Sequence, residues 1–479
     1  MRDSGTVEAA GRGGREDTVL DRLAFLRMSG AGAVGAAFLG LASPARAASA
    51  VSARSLGIKK ENSPAKNREN LVKALTDSNV EVVFPAGDYK VDNSGSYIVI
   101  RNFGGKLTME PGARFVFMDN TRRGLMFEKG SGARLVGLKS TFASRPTKRV
   151  TAQECILFVQ ASDTVVRNAN IEGSAAAGLL FGRCLRPTVI GASIRDTMAD
   201  GLHFANCQDG RAHDVTTVNT GDDGLAFVNY ANGPSNTGGR ATKITVKLSG
   251  ARGIAVVGQS GVSVESFKVS VTRASGLYCA HEPRSYNTRI PANVLFKNGT
   301  VYRGGKVGGT PGTNYGINIS GARSAKFVDV TVIRPGARGV SSRVSDGVVR
   351  LNRVRVRGAR EAGFNLQGGT HYLHDLVTRD SGGTGIHVAD CKKVGYGGLW
   401  SINSSREDPM DRACSFERNG RVRGNTVNVV DSRKRVKGNR LNASGRQSGN
   451  LGKVYDRVSH GRVRVANPSD INYAGPVRP

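Results

Sequence analysis

The sequence predicts an all-β solenoid: a single-stranded parallel β-helix closed at its N-terminal end by a short capping helix. Three observations carry this. A four-residue phrase that opens on a small residue, usually Gly, and alternates inward and outward side chains starts at Gly124, Cys155, Gly178, Gly201, Gly224, Gly253, Gly276, Gly316, Gly339, Gly363 and Gly385. From Cys155 onward its steps are 23, 23, 23, 29, 23, 40, 23, 24 and 22 residues, the regularity of a stacked repeat. Between phrases lies a second strand-like run behind a turn residue (Asn168, Asp214, Asn298, Asp329 or Asp375), with almost no helical periodicity, so each turn holds two or three short strands.

The elements follow in order. Residues 1–47 read as an export signal: Arg22 precedes Phe25-Leu26-Arg27, an apolar run extends from Ala31 to Leu41, and Pro44-Ala45-Arg46-Ala47 offers an Ala-x-Ala cleavage site. This resembles a twin-arginine signal with Leu23 where the second Arg would stand, and it implies a secreted or cell-envelope protein. Residues 48–122 hold the cap and first coils: apolar Leu71, Val72 and Leu75 at helical spacing, then a strand over Val80–Phe84, a Pro-Gly turn and a second strand. The β-helix proper is expected over 123–400. Residues 401–479 read as an irregular basic extension, opening its final part with Asp431-Ser432-Arg433-Lys434-Arg435-Val436-Lys437.

At 479 residues the chain exceeds a usual single core, but in a repeat array each unit packs only on its neighbours, so several domains are not required. Lys+Arg 69 against Asp+Glu 38 gives a net charge of +31 spread along the chain, which favours an anionic polymer as partner; a basic composition merely decorating a solvated surface is the plain alternative. Only 6% of residues are aromatic and no zinc-finger or RNP signature is present, which argues against sequence-specific nucleic-acid reading. No segment after the signal reads as membrane-spanning, and a monomer is expected.

Coil position assigns faces. The second and fourth residues of each phrase, such as Leu202 and Phe204 or Leu225 and Phe227, stack inside at roughly 4.8 Å per rung. The third residues, Leu180, His203, Ala226, Ala255, Tyr278 and Asn318, point outward, and the two alanines between His203 and Tyr278 suggest a shallow groove floor. The two long steps insert Asn229–Asn236 and, in the 40-residue step, Glu282–Asn293 and Gly304–Tyr315, positioned to wall a cleft. The residues before successive phrases form a column, Ala177, Asp200, Asp223, Arg252 and Ser275, with Asp222 beside Asp223. Carboxylates one rung apart suit acid/base chemistry, although ion-pair ladders and Asp-Gly turns produce the same pattern. His203 is placed to bind a sugar hydroxyl or move a proton, His281-Glu282 is a further acid/base candidate, and Tyr230, Tyr278 and Tyr286 are candidate sugar-stacking rings. Six cysteines show no metal spacing; Cys184 and Cys207, 23 apart, fall on adjacent rungs, compatible with a disulfide or with a reduced stack.

Helix, strand, Phe-Pro-Ala-Gly-Asp-Tyr at 84–89 and then the repeat array together resemble the pectate-lyase-like right-handed β-helix superfamily. Asp-Gly at 200–201 followed one coil later by Gly-Asp-Asp-Gly at 221–224 is similar to the polygalacturonase-type glycoside hydrolases. The resemblance implies an inverting hydrolysis in which Asp200 and Asp223 hold the attacking water and Asp222 protonates the leaving oxygen, with no cofactor. The chain departs from that family at Ala251-Arg252-Gly253, where it has Gly-His-Gly, and at Tyr278-Cys279-Ala280, where it has Arg-Ile-Lys. A second implication is a Ca²⁺-dependent polysaccharide lyase or epimerase, with Ca²⁺ on Asp200, Asp222 and Asp223 and Arg252 taking the proton beside a uronate carboxyl. A third reading, of a different class, is a non-catalytic β-helix that binds an anionic polymer. Substrate contacts in any of these fall to His203, Arg252, Tyr230, Tyr278 and His281.

Overall fold

The computed structural model describes residues 50–305, 313–404, 414–417, 419–424, 426–430, 440–444, 453–456 and 464–465. The signal-like segment, part of the Gly304–Tyr315 insertion and most of the basic tail lie outside the described residues. What is described is a parallel β-helix. The phrase strands stack into one sheet of 15 parallel strands, and the other strands of each coil form a 25-stranded parallel sheet.

The capping helix is Pro64–Leu75. Ser63 accepts a hydrogen bond from the Lys66 N–H at 3.3 Å, and Pro64 occupies the first turn, where its missing N–H costs nothing. Leu71 and Leu75 are buried against the first coil, covering a core face the solenoid would otherwise leave open.

Register follows the phrase without slippage. Leu179 pairs with Leu202, Leu202 with Leu225, Leu225 with Ile254 and Ile254 with Leu277. Fourth-position rings therefore stack: Phe158 on Phe181 at 5.0 Å, Phe181 on Phe204 at 5.5 Å and Phe204 on Phe227 at 4.9 Å between centroids. Each such ring buries roughly 2–3 kcal/mol of apolar transfer energy, with about 0.5–1.5 kcal/mol more per ring pair. Asn168, Asp214, Asn298, Asp329 and Asp375 all turn the chain at φ between 51° and 55°, the left-handed conformation that Asn and Asp tolerate best among non-glycine residues.

Two features differ from the sequence reading. Strands Cys414–Glu417, Arg440–Ser444 and Arg464–Val465 extend the phrase sheet where an irregular extension was expected, because backbone pairing propagates without the opening glycine. The alanine floor is no open groove: Ala226 and Ala255 are 1% and 0% exposed and belong to a second apolar cluster outside the coil interior, with Leu157, Leu180, Val228, Val257 and Tyr230. The two insertions roof it and brace one another. Ala231 N–H donates to Asn287 O at 2.7 Å, and the Arg289 guanidinium donates to the carbonyls of Ala231 and Gly233 at 3.1 and 3.0 Å. Exposed apolar surface beside long loops is covered by them because burial removes it from water.

Candidate active site

The acids stand on the turn that leads into the phrase strand. Backbone hydrogen bonds tie that turn from coil to coil: Gly178 N–H to Asp200 O, Gly201 N–H to Asp223 O and Gly224 N–H to Arg252 O, each at 2.9–3.0 Å. The column read from the sequence is therefore real. A parallel column runs through Ala176, Ala199, Asp222, Ala251 and Ala274, so Asp222 is an acid in a row of alanines. The flanking glycines are needed sterically: a Cβ on Gly221 would lie 2.3 Å from Met198 O, and one on Gly224 2.4 Å from Val246 Cγ1.

Asp200, Asp222 and Asp223 converge, each offering an oxygen within 4.8 Å of the others. Asp200 and Asp223 are 2% and 1% exposed and Asp222 is 8% exposed, so Asp222 is the one nearest solvent. Each acid has its own cationic or ionisable partner. His203 Nδ1 lies 2.6 Å from Asp200 Oδ2, Arg149 Nη1 lies 3.2 Å from Asp222 Oδ2, and Arg252 Nη1 lies 3.7 Å from Asp223 Oδ1. Backbone donors complete the frame: the Asp223 N–H donates to Asp200 Oδ1 at 3.0 Å, and the Arg252 N–H to Asp223 Oδ1 at 2.9 Å.

Arg252 is locked. Its Nη2 donates to Glu282 Oε1 at 2.7 Å, and its guanidinium lies 4.5 Å over the Tyr278 ring, whose hydroxyl donates to the same Glu282 oxygen at 2.9 Å. Burial opposes the charge on Arg252, but Asp223, Glu282 and Tyr278 outweigh it and hold the guanidinium above its ordinary pKa. Burial, followed by the Glu282 carboxylate, pushes the Tyr278 phenol up. A guanidinium held this way is a poor proton acceptor, which weighs against its use as the base of an elimination.

The remaining predicted residues separate into two groups. Asp200, His203 and Tyr230 line one small cavity of about 50 Å³, with Arg149, Glu154 and an apolar wall including Ala177 and Leu180. His203 Nε2 is buried without a hydrogen-bond partner, leaving a ring nitrogen for a ligand. Tyr278 gives one ring face to Arg252. Glu282 turns to Arg252 and Tyr278, so among the described residues it forms no ion pair with His281, whose N–H donates to Ser320 O on the next rung. Tyr286 packs against the outer apolar cluster. The sequence reading missed Arg149 and Glu154. Glu154 precedes the phrase at Cys155, so extending the pre-phrase column one coil upstream finds it; it pairs with buried Arg123 at 3.0 Å, the residue before Gly124. Arg149 lies in an irregular loop and has no positional signal. All six cysteines are free; burial, helped by neighbouring Cys184, raises the Cys207 thiol.

No family model and no curated protein matches this sequence. Among solved structures the chain is similar to the catalytic domain of a GH87 α-1,3-glucanase in complex with nigerose, at 15% identity and a TM-score of 0.53 over 73% of this chain and 67% of that one. It is also similar to the catalytic unit of a thermostable GH87 α-1,3-glucanase from Streptomyces thermodiastaticus, at 16% identity and a TM-score of 0.51 over 74% and 67%. Likeness at this identity establishes the shared β-helix fold. Several of the glucanase structures carry a single Asp-to-Ala change, at two adjacent positions and at a third 23 positions before the first of them (1068 − 1045).

Proposed function

We propose that this chain is an exported carbohydrate-active enzyme, a glycoside hydrolase that cleaves a polysaccharide. The observation that carries the reading is the convergence of Asp200, Asp222 and Asp223 from two successive turns beside a small cavity lined by Asp200 and His203. The glucanases support it, since their altered aspartates have a similar sequence pattern, an adjacent pair and one acid 23 positions before it (1068 − 1045). Export through residues 1–47 belongs to the same proposal.

In this reading Asp200 and Asp223, fixed by backbone donors and by His203 and Arg252, hold and deprotonate the attacking water. Asp222, the acid nearest solvent, protonates the leaving glycosidic oxygen once substrate displaces Arg149 from it. The water adds to the anomeric carbon as the C–O bond breaks, its proton passing to the carboxylate pair, so the first product has inverted configuration. Three acid oxygens also form a donor set that a hard divalent cation would accept; the pairing of Asp222 with Arg149 and of Asp223 with Arg252 already supplies counter-charge and weighs toward the hydrolase.

The test is reducing-sugar release from a panel of neutral and acidic polysaccharides by wild type and Asp222→Asn, with the anomer of the first product followed by NMR. Release by wild type, abolished in the variant and unaffected by chelation, supports hydrolysis. Ultraviolet absorbance from an unsaturated product that disappears on chelation would replace it with elimination. Binding without turnover in both proteins would replace it with the non-catalytic reading.

A further inference from the structure

Four to six rungs beyond Asp223, the same face of the solenoid carries a second polar depression of about 520 Å³. At ~4.8 Å per rung this places it about 19–29 Å along the helix axis. Its residues fall on the three rows that build the acid cluster. Arg338 occupies the pre-phrase row of Asp223 and Arg252. Glu361 occupies the Asp222 row, two rungs after Asn314 and bonded through Ala337. Asn365 and His387 continue the outward phrase row of His203, paired in register through Tyr278, Asn318 and Ser341. The outward row thus changes from apolar over the roofed floor to polar over this depression.

The chemistry of the lining selects a ligand class. Arg338 Nε donates to Glu361 Oε2 at 3.1 Å, so these charges offset one another. Asn365 is 7% exposed and its Oδ1 has no hydrogen-bond partner, an unmet acceptor at the floor. Exposed Arg360 and half-buried Gln367 add donors, and Gln367 an acceptor. The lining keeps one net positive charge, Arg338 and Arg360 against Glu361, but the unmet acceptor at its floor calls for groups that both give and accept hydrogen bonds, which hydroxyls do and carboxylates do not.

We propose that this depression is a distal saccharide-binding site for an uncharged, hydroxyl-rich glycan whose chain runs along the solenoid axis on the acid-bearing face. The proposal rests on the carbohydrate reading of the protein but not on catalysis. It is tested on the full chain carrying Asp222→Asn, which removes turnover, by affinity electrophoresis and calorimetry with a long soluble neutral α-glucan and with polygalacturonate. Arg360→Ala and Gln367→Ala, both at the accessible rim, are added singly in that background. Each is expected to weaken binding of the neutral glucan by about tenfold, while in the wild-type background leaving cleavage of short oligosaccharides unchanged. No binding of the neutral glucan, or binding that neither rim variant alters, overturns the proposal. So does binding confined to polygalacturonate that Arg360→Ala abolishes. If binding and the rim effects are present but wild type releases no sugar, the distal site stands and the hydrolase reading falls.

Discussion

His203 Nδ1 lies 2.6 Å from Asp200 Oδ2 with both residues buried, so a strand side chain and the turn leading into that strand close on one another three residues apart. This contact fixes the imidazole with Nε2 directed away from the acid. His203→Ala is expected to destabilise the protein by about 3 kcal/mol, since it leaves Asp200 buried with reduced compensation. It should also lower kcat by about 100-fold if the ring moves a proton or holds the reacting sugar. Chemical denaturation and steady-state kinetics separate the two effects; unchanged kcat in a folded variant would confine His203 to a structural role.

Asp222 has alanine on the two rungs before it and the two after it in its row, and it is the most accessible of the three acids. Asp222→Asn should therefore leave folding intact, with a change in stability under about 1 kcal/mol, and reduce turnover by at least about 1,000-fold. Circular dichroism and a reducing-sugar assay check the pair of outcomes. Residual turnover within tenfold of wild type would remove Asp222 from the acid role.

Arg252 joins Asp223, Glu282 and Tyr278. Arg252→Ala is expected to cost about 3 kcal/mol, because buried Asp223 and half-buried Glu282 lose their shared cation. Arg252→Lys should recover only part of this, as one ammonium cannot reproduce the stacked guanidinium. Thermal or urea unfolding measures both, and equal stability of the Ala and Lys variants would refute the clamp.

His371 lies inside the later coils, with Nε2 3.0 Å from Ser342 Oγ and Nδ1 3.5 Å from Cys391 Sγ. Burial lowers its pKa to about 4 from an ordinary value of 6.5. The unfolded chain takes up a proton near 6.5 that the folded chain refuses until about 4, so this stabilising contribution is complete above 6.5 and lost as pH falls to about 4. The loss is about 2–4 kcal/mol over that window. Stability against pH should flatten there in His371→Gln; parallel curves for the two proteins would contradict the assignment.

Burial pushes the thiols of Cys155, Cys279 and Cys414 up to about 12. Thiolates are the reacting species, so iodoacetamide at pH 8 should leave these three unmodified in the native protein and label them after unfolding. Mass spectrometry of the digested protein reads the difference.

Much of this molecule is written in its period. The phrase glycines locate the rungs, alternation assigns Leu202 and Phe204 inward and His203 outward, and the offset of 23 brings Asp200 beside Asp223. The turn row was legible only where Asn or Asp marks it, at Asn168, Asp214, Asn298, Asp329 and Asp375; Lys243, Ser266 and Arg353 take the same left-handed bend without that signal. The period is silent on what departs from it. Insertions have no register, so the sequence could not show that Tyr230 and Tyr286 cover Ala226 and Ala255, or that Glu282 reaches Arg252 rather than His281. Arg149 reaches Asp222 from a loop 73 residues earlier in the chain, a distance no repeat encodes. In the C-terminal coils the phrase loses its glycine, and pattern alone fails although backbone pairing continues.

The unslipped register makes the solenoid a ruler. The acid cluster and the depression at Arg338 and Asn365 are separated by a whole number of coils, each contributing the same increment along the axis. Excising the coil from Gly316 to Arg338 and restoring Arg at the new junction would bring the two sites nearer by one graduation, about 4.8 Å, with neither rebuilt. Reach along a polymer, in such an architecture, is set by counting coils.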